Sequence, residues 1–369
     1  MRRIFALVAV LISLSAAGQS CKDNLTISIV PSYRDSLSVD GPYILYTKAG
    51  VRVISVDSEG IIKDTTLNKR PSTVKVTEHE GRVSFDVELS DKKRQEWHYD
   101  KQPDRVFVMS DPHGRLDCVI SLLKNNGVID EQLRWKYGQD CLVMIGDIFD
   151  RGDDAVQIFW LFYKLQDEAQ KAGGNVLMLL GNHEPMEFSG DMRYATPKYA
   201  ILARELGIEY RTLFGSESEL GRWISEWNTI GVIGRDLFVH AGLGGDFYVW
   251  NLPPEEVNLQ MSRGMFLLGK ERRAKSDTLS FLYGSYGPIW YRGLVTDNEK
   301  YRPIQSDTLD LLLTRHDVDH MIIGHTIHED VSFLHDGKVI CVNVNNAYNM
   351  EHNLGRALLI QDGKYTVVK

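Results

Sequence analysis

Five short apolar runs, each ended by a residue able to bind a metal ion, constrain this chain more than any other feature of it. The runs are residues 105–109, 141–145, 176–180, 237–239 and 321–323. Directly after them, or one small residue later, stand Asp111, Asp147, Asn182, His240 and His325. Apolar runs this short read as buried strands, and the longer segments between them carry helical periodicity. The expected class is therefore α/β, with strands and helices alternating about a buried sheet. Ligands of open α/β sheets gather beyond the carboxyl ends of the strands, so five polar residues leaving five strands are expected to converge on one crevice.

The residue types at those exits point to one kind of chemistry. In Asp111-Pro112-His113-Gly114 a carboxylate and an imidazole stand two residues apart after a strand, which lets both reach one ion. Asp147 can bridge two ions through its two oxygens, and Asn182, His240 and His325 would complete the second. Oxygen and imidazole donors without thiolate favour Mn, Fe, Zn or Co, as two divalent ions or a mixed pair of iron and a divalent ion. Two such ions about 3.5–4 Å apart clamp a phosphoryl group and yield hydroxide near neutral pH for in-line attack on phosphorus. His183, beside Asn182, is placed to act on the leaving oxygen, with Asp150 accepting its other N–H. Arg151 and Arg292 offer planar forks for phosphate oxygens. Arg115 is a weaker third candidate, since it can equally pair with a surface acid. Any one of these segments alone is more often a turn or a satisfied core group; five in series with the right donors are not.

Composition limits the setting of this chemistry. At 369 residues, 43% hydrophobic and 25% charged, the chain is globular rather than disordered. A formal charge of −8 gives no overall attraction for nucleic acid, so phosphate must be held locally by ions and placed arginines. The opening MRRIFALVAVLISLSAAGQSC has two arginines, an apolar core and then small residues, the layout of a secretory signal over residues 1–20. Export is expected, to the periplasm or to a membrane surface through a lipid anchor at Cys21. Gly18 stands where lipoproteins usually carry a bulky aliphatic residue, so plain cleavage near Gly18 is the alternative. No later run approaches membrane-spanning length. Cys118, Cys141 and Cys341 fit neither a redox pair nor a zinc ribbon and read as core residues.

Along the chain, residues 21–100 read as a small β-rich accessory region and linker. Strand-like alternation runs through residues 25–89, and the polar stretch 90–104 looks like the connection to a catalytic domain over residues 101–369. His79 and His98 are isolated in sequence and are expected at the surface. Two long segments, 184–229 and 250–287, are rich in charged and aromatic residues and are expected to form caps or binding walls.

The segments SDPHGR, GDIFDRGD, GNHE, VHAGL and IIGHT resemble the signature series of the calcineurin-like metallophosphoesterases. GDIFDRG with GNHE is similar to the phosphoprotein phosphatase family, and Gly287-Pro288-Ile289-Trp290-Tyr291-Arg292 to its bacterial Shewanella-like branch. The resemblance, over about residues 104–350, implies a β-sandwich of mixed sheets flanked by helices. It implies that Asp111, His113 and Asp147 hold one metal and Asp147, Asn182, His240 and His325 the other. It assigns the leaving group to His183 with Asp150, and phosphate to Arg151 and Arg292. Ser110 and Arg115 depart from the family's usual glycine and glutamine, which bears on substrate choice. The expected activity is hydrolysis of phosphate monoesters, on phosphotyrosine or phosphoserine and phosphothreonine in a protein or peptide partner, with small phosphate esters as further substrates. The rivals are a symmetrical dinucleoside polyphosphate hydrolase and an exported binding protein with a vestigial metal site.

Overall fold

The computed structural model describes residues 37–345 and 356–369. The expected signal over residues 1–20, Cys21 and the start of the β-rich region lie outside the described residues.

The N-terminal part is β-rich, as its alternation predicts. Strands β1 (Asp40–Thr47), β2 (Gly50–Val56) and β3 (Ile62–Leu67) form an antiparallel sheet, and β4 (Thr73–Thr77) and β5 (Ser84–Glu88) a separate hairpin. The stretch expected as a linker holds β6 (His98–Tyr99). Then follow β7 (Arg105–Met109), α1 (Leu116–Asn125), β8 (Cys141–Met144), α2 (Ala155–Ala172), β9 (Asn175–Met178), α3 (His183–Phe188), α4 (Pro197–Leu206) and α5 (Glu219–Ser225). The rest comprises β10 (Ile230–Ile233), β11 (Asp236–Val239), α6 (Gly245–Trp250), α7 (Pro254–Gly264), α8 (Gly269–Lys275), α9 (Asp277–Leu282), α10 (Ser306–Arg315), β12 (His320–Ile323), β13 (Ser332–Leu334), β14 (Val339–Cys341), β15 (Ala357–Gln361) and β16 (Lys364–Val368). None of the described helices is long and apolar enough to cross a membrane.

Two mixed sheets make the catalytic body. One has the order β16-β15-β7-β8-β9, with β7, β8 and β9 parallel; the other runs β13-β14-β12-β11-β10-β6. Alternate side chains show why the apolar runs are continuous. Val106, Val108, Val143, Leu177 and Leu179 join Phe238, Ile322 and Ile340 of the other sheet in one apolar layer. Phe107, Met109, Leu142, Met144, Val176 and Met178, on the opposite face, join the larger core with α1 and α2. A strand buried on both faces reads as an unbroken apolar run. The structure has the mixed α/β sandwich architecture of the metallophosphoesterases.

Residues 90–104 are anchored at several points. Lys92 Nζ donates to the Tyr163 carbonyl oxygen and to Asp167 on α2, and the Tyr163 hydroxyl donates to the Ser90 carbonyl oxygen at 2.6 Å. Gln95 donates to Asn175, and the Val232 and Gly234 amides donate to the carbonyls of Trp97 and Tyr99, which adds β6 to the edge of the second sheet. Cys118, Cys141 and Cys341 are buried, as expected, and burial pushes each thiol up to about 12.

Candidate active site

All five strand exits reach the same place. β7, β8 and β9 of one sheet present Asp111, Asp147 and Asn182, while β11 and β12 of the other present His240 and His325. Asp147 lies at the centre, with Oδ2 at 3.2 Å from His240 Nε2, 3.8 Å from His183 Nε2 and 4.0 Å from His113 Nε2. Its Oδ1 accepts the His183 amide at 2.9 Å. His113 Nε2 is also 4.0 Å from Asp111 Oδ1, and Asn182 Oδ1 is 3.1 Å from His240 Nε2. The rings of His240 and His325 pack edge to face at 5.1 Å.

The backbone is bent hard to achieve this convergence. Asp111, His113, Asp147, Asp150, Arg151 and His325 all have positive φ, between 42° and 73°. Each such residue costs about 1–3 kcal/mol and persists only where its surroundings over-determine it. Glycines make the room: a Cβ at Gly181 would collide with the Asp147 carboxylate, and one at Gly324 with Ser110 and Asp111. The Ser110 hydroxyl donates to Asp111 Oδ2, which also accepts the His325 amide at 3.1 Å.

The donors fit metal ions. His113 Nδ1 is 2.8 Å from the Phe149 carbonyl oxygen and His240 Nδ1 2.7 Å from that of Ile145. Each carbonyl requires an N–H, which leaves Nε2 of both rings as the atom turned toward the carboxylates, the usual anchoring of a metal-binding histidine. Asp111 Oδ1 and His325 Nε2 are buried without a hydrogen-bond partner among the described residues. His113, Asp147 and His183 form one group of potential ligand atoms within 4.8 Å of one another, and Asp147, His240 and His325 a second. Burial, reinforced by Asp147, pushes the Asp111 carboxyl up to about 6. Burial opposes charge on His240 too, yet Asp147 outweighs it and raises that imidazole to about 9. Burial lowers His113 to about 4 and, with His240 and Arg292 adding repulsion, holds His325 well below the usual histidine range.

Around this cluster stand the other expected residues. His183 Nδ1 bonds Asp150 Oδ2, which turns His183 Nε2 toward Asp147. Burial opposes protonation of His183, but Asp147 and Asp150 together raise its pKa. Arg151 is exposed; its amide donates to the Tyr194 carbonyl oxygen, and its guanidinium lies 5.9 Å from the Tyr194 ring centre. Arg292 is half-buried and donates to Thr326 Oγ1 at 2.9 Å, next to His325. Trp290 packs edge to face on His325 at 5.8 Å. Arg115 forms an ion pair with Asp117 at 2.8 Å.

Two residues belong here that the sequence did not single out, and a third that it placed at the surface. Glu184, fully buried, accepts the amides of Gly181, Asp147 and Ile148, tying the β8 exit to the β9 exit. Tyr194, 47% exposed, places its ring 5.5 Å from His183 and is the exposed aromatic group that segment 184–229 brings to the site. His79 is not an isolated surface group: its amide and Nδ1 both bond Asp154, at 2.8 and 2.7 Å, docking the β4–β5 turn on the end of the loop that carries Asp147, Asp150 and Arg151. Segment 250–287 packs α7 on β10, where Asn258 Oδ1 accepts the amides of Thr229 and Ile230.

A helix-flanked sandwich with carboxylates and imidazoles gathered at its strand exits defines a metal-dependent phosphoesterase. Residues 104–329 match the calcineurin-like phosphoesterase model, and the chain belongs to that family. It is accordingly a hydrolase of phosphate monoesters, from a family that depends on paired metal ions. An uncharacterized protein of Schizosaccharomyces pombe is 32% identical, over 61% of this chain and 68% of its own. Shewanella-like protein phosphatase 2 of Arabidopsis thaliana is 27% identical, over 71% and 76%. The crystal structure of a cold-active protein-tyrosine phosphatase from a psychrophilic Shewanella superposes with a TM-score of 0.80 at 31% identity, covering 89% of this chain and 96% of that one.

Proposed function

We propose that the protein is a dinuclear metal-dependent phosphatase of phosphorylated proteins or peptides, with phosphotyrosine as its preferred substrate. The observation that carries the preference is the exposed Tyr194 ring, 5.5 Å from His183. An imidazole that protonates a departing oxygen stands next to whatever that oxygen carries, and an aryl group there has an aromatic face to pack on. The similar Shewanella structure is that of a protein-tyrosine phosphatase, which supports the same choice.

Asp111, His113 and Asp147 would hold one ion, and Asp147, Asn182, His240 and His325 the other. When bound, such a pair neutralises phosphoryl charge and acidifies a water enough to serve as the in-line nucleophile. The chain's own groups do the remainder. Arg151 and Arg292, on the His113 and His325 sides of the cluster, grip phosphate oxygens. His183 passes a proton from Nε2 to the departing oxygen, and Asp150 holds the ring by Nδ1 and stabilises its cationic form. Manganese, iron and zinc all suit these donors. The signal-like residues 1–20 support export, to the periplasm or to a lipid anchor at Cys21.

The test is hydrolysis of a phosphotyrosine peptide, a phosphoserine peptide and diadenosine tetraphosphate by protein purified with Mn²⁺, with His183→Asn as control. Fastest release from phosphotyrosine, lost in the control, is expected. Faster phosphoserine turnover would reverse the substrate preference, and faster dinucleotide cleavage would replace the phosphatase reading. No turnover of any of the three would sink it.

A further inference from the structure

One turn after His183, α3 brings a second acid to the same place. Residues four apart on a helix share a face, so His183 and Glu187 point the same way. Glu187 and Asp150 are each 1% exposed. Both Glu187 oxygens and Asp150 Oδ1 lack a hydrogen-bond partner among the described residues, although the two side chains lie within hydrogen-bonding reach of each other.

Two ionised carboxylates are acceptors only and cannot satisfy one another. Burying both charges unpaired would be costly, and a single proton between them removes the conflict. Asp150 Oδ2 is already engaged as the acceptor of the His183 Nδ1–H, which leaves Glu187 as the carboxyl free to donate. The proton therefore belongs on Glu187. Burial first, then Asp150, Asp191 and Glu184, push the Glu187 carboxyl up to about 10.

We propose that Glu187 is a positioning residue for the leaving-group step: as a neutral acid it donates to Asp150 Oδ1 and fixes the carboxylate whose other oxygen aligns His183. The inference rests on the reading of His183 as the proton donor to the departing oxygen. It adds a third member to the pair, supplied by the same helix as the first.

The experiment compares kcat of the metal-loaded wild type, Glu187→Gln, Glu187→Leu and His183→Asn on phenyl phosphate and p-nitrophenyl phosphate, with metal content measured for each. p-Nitrophenol leaves without much help from an acid; phenol does not. Glu187→Leu is expected to lose roughly tenfold to a hundredfold on phenyl phosphate and much less on p-nitrophenyl phosphate, a fraction of what a general acid supplies. Glu187→Gln keeps an N–H donor and is expected to restore most of the rate on phenyl phosphate. Equal losses on both esters at unchanged metal content, or no loss, would overturn the proposal. If His183→Asn itself shows no dependence on the leaving group, the proton-donor reading has failed; if only Glu187→Leu lacks it, the positioning role alone has. Independently of the leucine variant, the infrared difference between wild type and Glu187→Gln at mildly alkaline pH is expected to contain a protonated carboxyl band, and its absence would also overturn the proposal.

Discussion

A methyl group at residue 181 is the smallest change that reaches the centre of the cluster. Its Cβ would strike the Asp147 carboxylate and amide, which cannot both give way while Glu184 holds the same loop. Gly181→Ala is expected to lower bound metal, measured by elemental analysis, and to reduce turnover by about a hundredfold, the usual effect of misplacing a reacting group by about 1 Å. A variant with full metal and full rate would mean that Asp147 is not held as described. Replacing Asp147 by Asn should remove metal as well as rate, since one carboxylate faces His113, His183 and His240 together. At this scale the sequence was legible where residue type and strand exit coincide, as at Asp111, Asp147 and His325. Glu184 and Glu187 were not, because acids on a short helix look like ordinary solvated residues until the fold shows them buried. Spacing was the one available signal: Glu187 stands four residues from His183 on a short helix.

Between elements, the joint most open to experiment is the β4–β5 turn on the start of α2. The Asp154 hydrogen bond, opposed by partial burial and helped by Glu78 and Asp153, raises His79 above its usual pKa. Burial raises Asp154 as well, but the histidine is the partner that titrates near neutrality and it sets the sign. A raised histidine adds stability that is complete below the unfolded pKa of about 6.5 and is lost as pH climbs through the folded value. His79→Gln is therefore expected to lower the melting temperature by about 1–3 °C near pH 6, a modest effect because the imidazole remains partly exposed, and by less near pH 8.5. A difference that grows with pH would contradict the clamp. Strands were the legible elements, since burial on both faces leaves an unbroken apolar signature. The strap over residues 90–104 was not, because its partners Tyr163, Asp167 and Asn175 lie 71 to 80 positions away.

The molecule as a whole is organised around α2. Its Trp160 is fully buried and donates from the indole to the Pro42 carbonyl oxygen at 2.9 Å, so the helix of the catalytic body is also a wall of the N-terminal sheet. Tyr43, Ile54 and Phe85 share one apolar core with Phe107, Phe159 and Trp223. Calorimetry is expected to show one cooperative transition, and Trp160→Ala to destabilise it by about 3–5 kcal/mol. Two separable transitions would instead make residues 37–100 autonomous. The sandwich was not legible from periodicity alone. Runs apolar on both faces do not say which sheet each strand joins, and only the likeness of the motifs to a known family supplied that arrangement.

Asp111 and His325 touch across 214 positions of chain, and β15, which closes the first sheet on β7, comes later still. During synthesis from the N-terminus, the first three strand exits emerge long before the imidazoles of the second sheet. An incomplete chain carries Asp111, His113 and Asp147 but lacks His240 and His325, so capture of the second ion would be one of the last events in maturation. That ion would bind only the finished sandwich and would act as a latch between its two sheets.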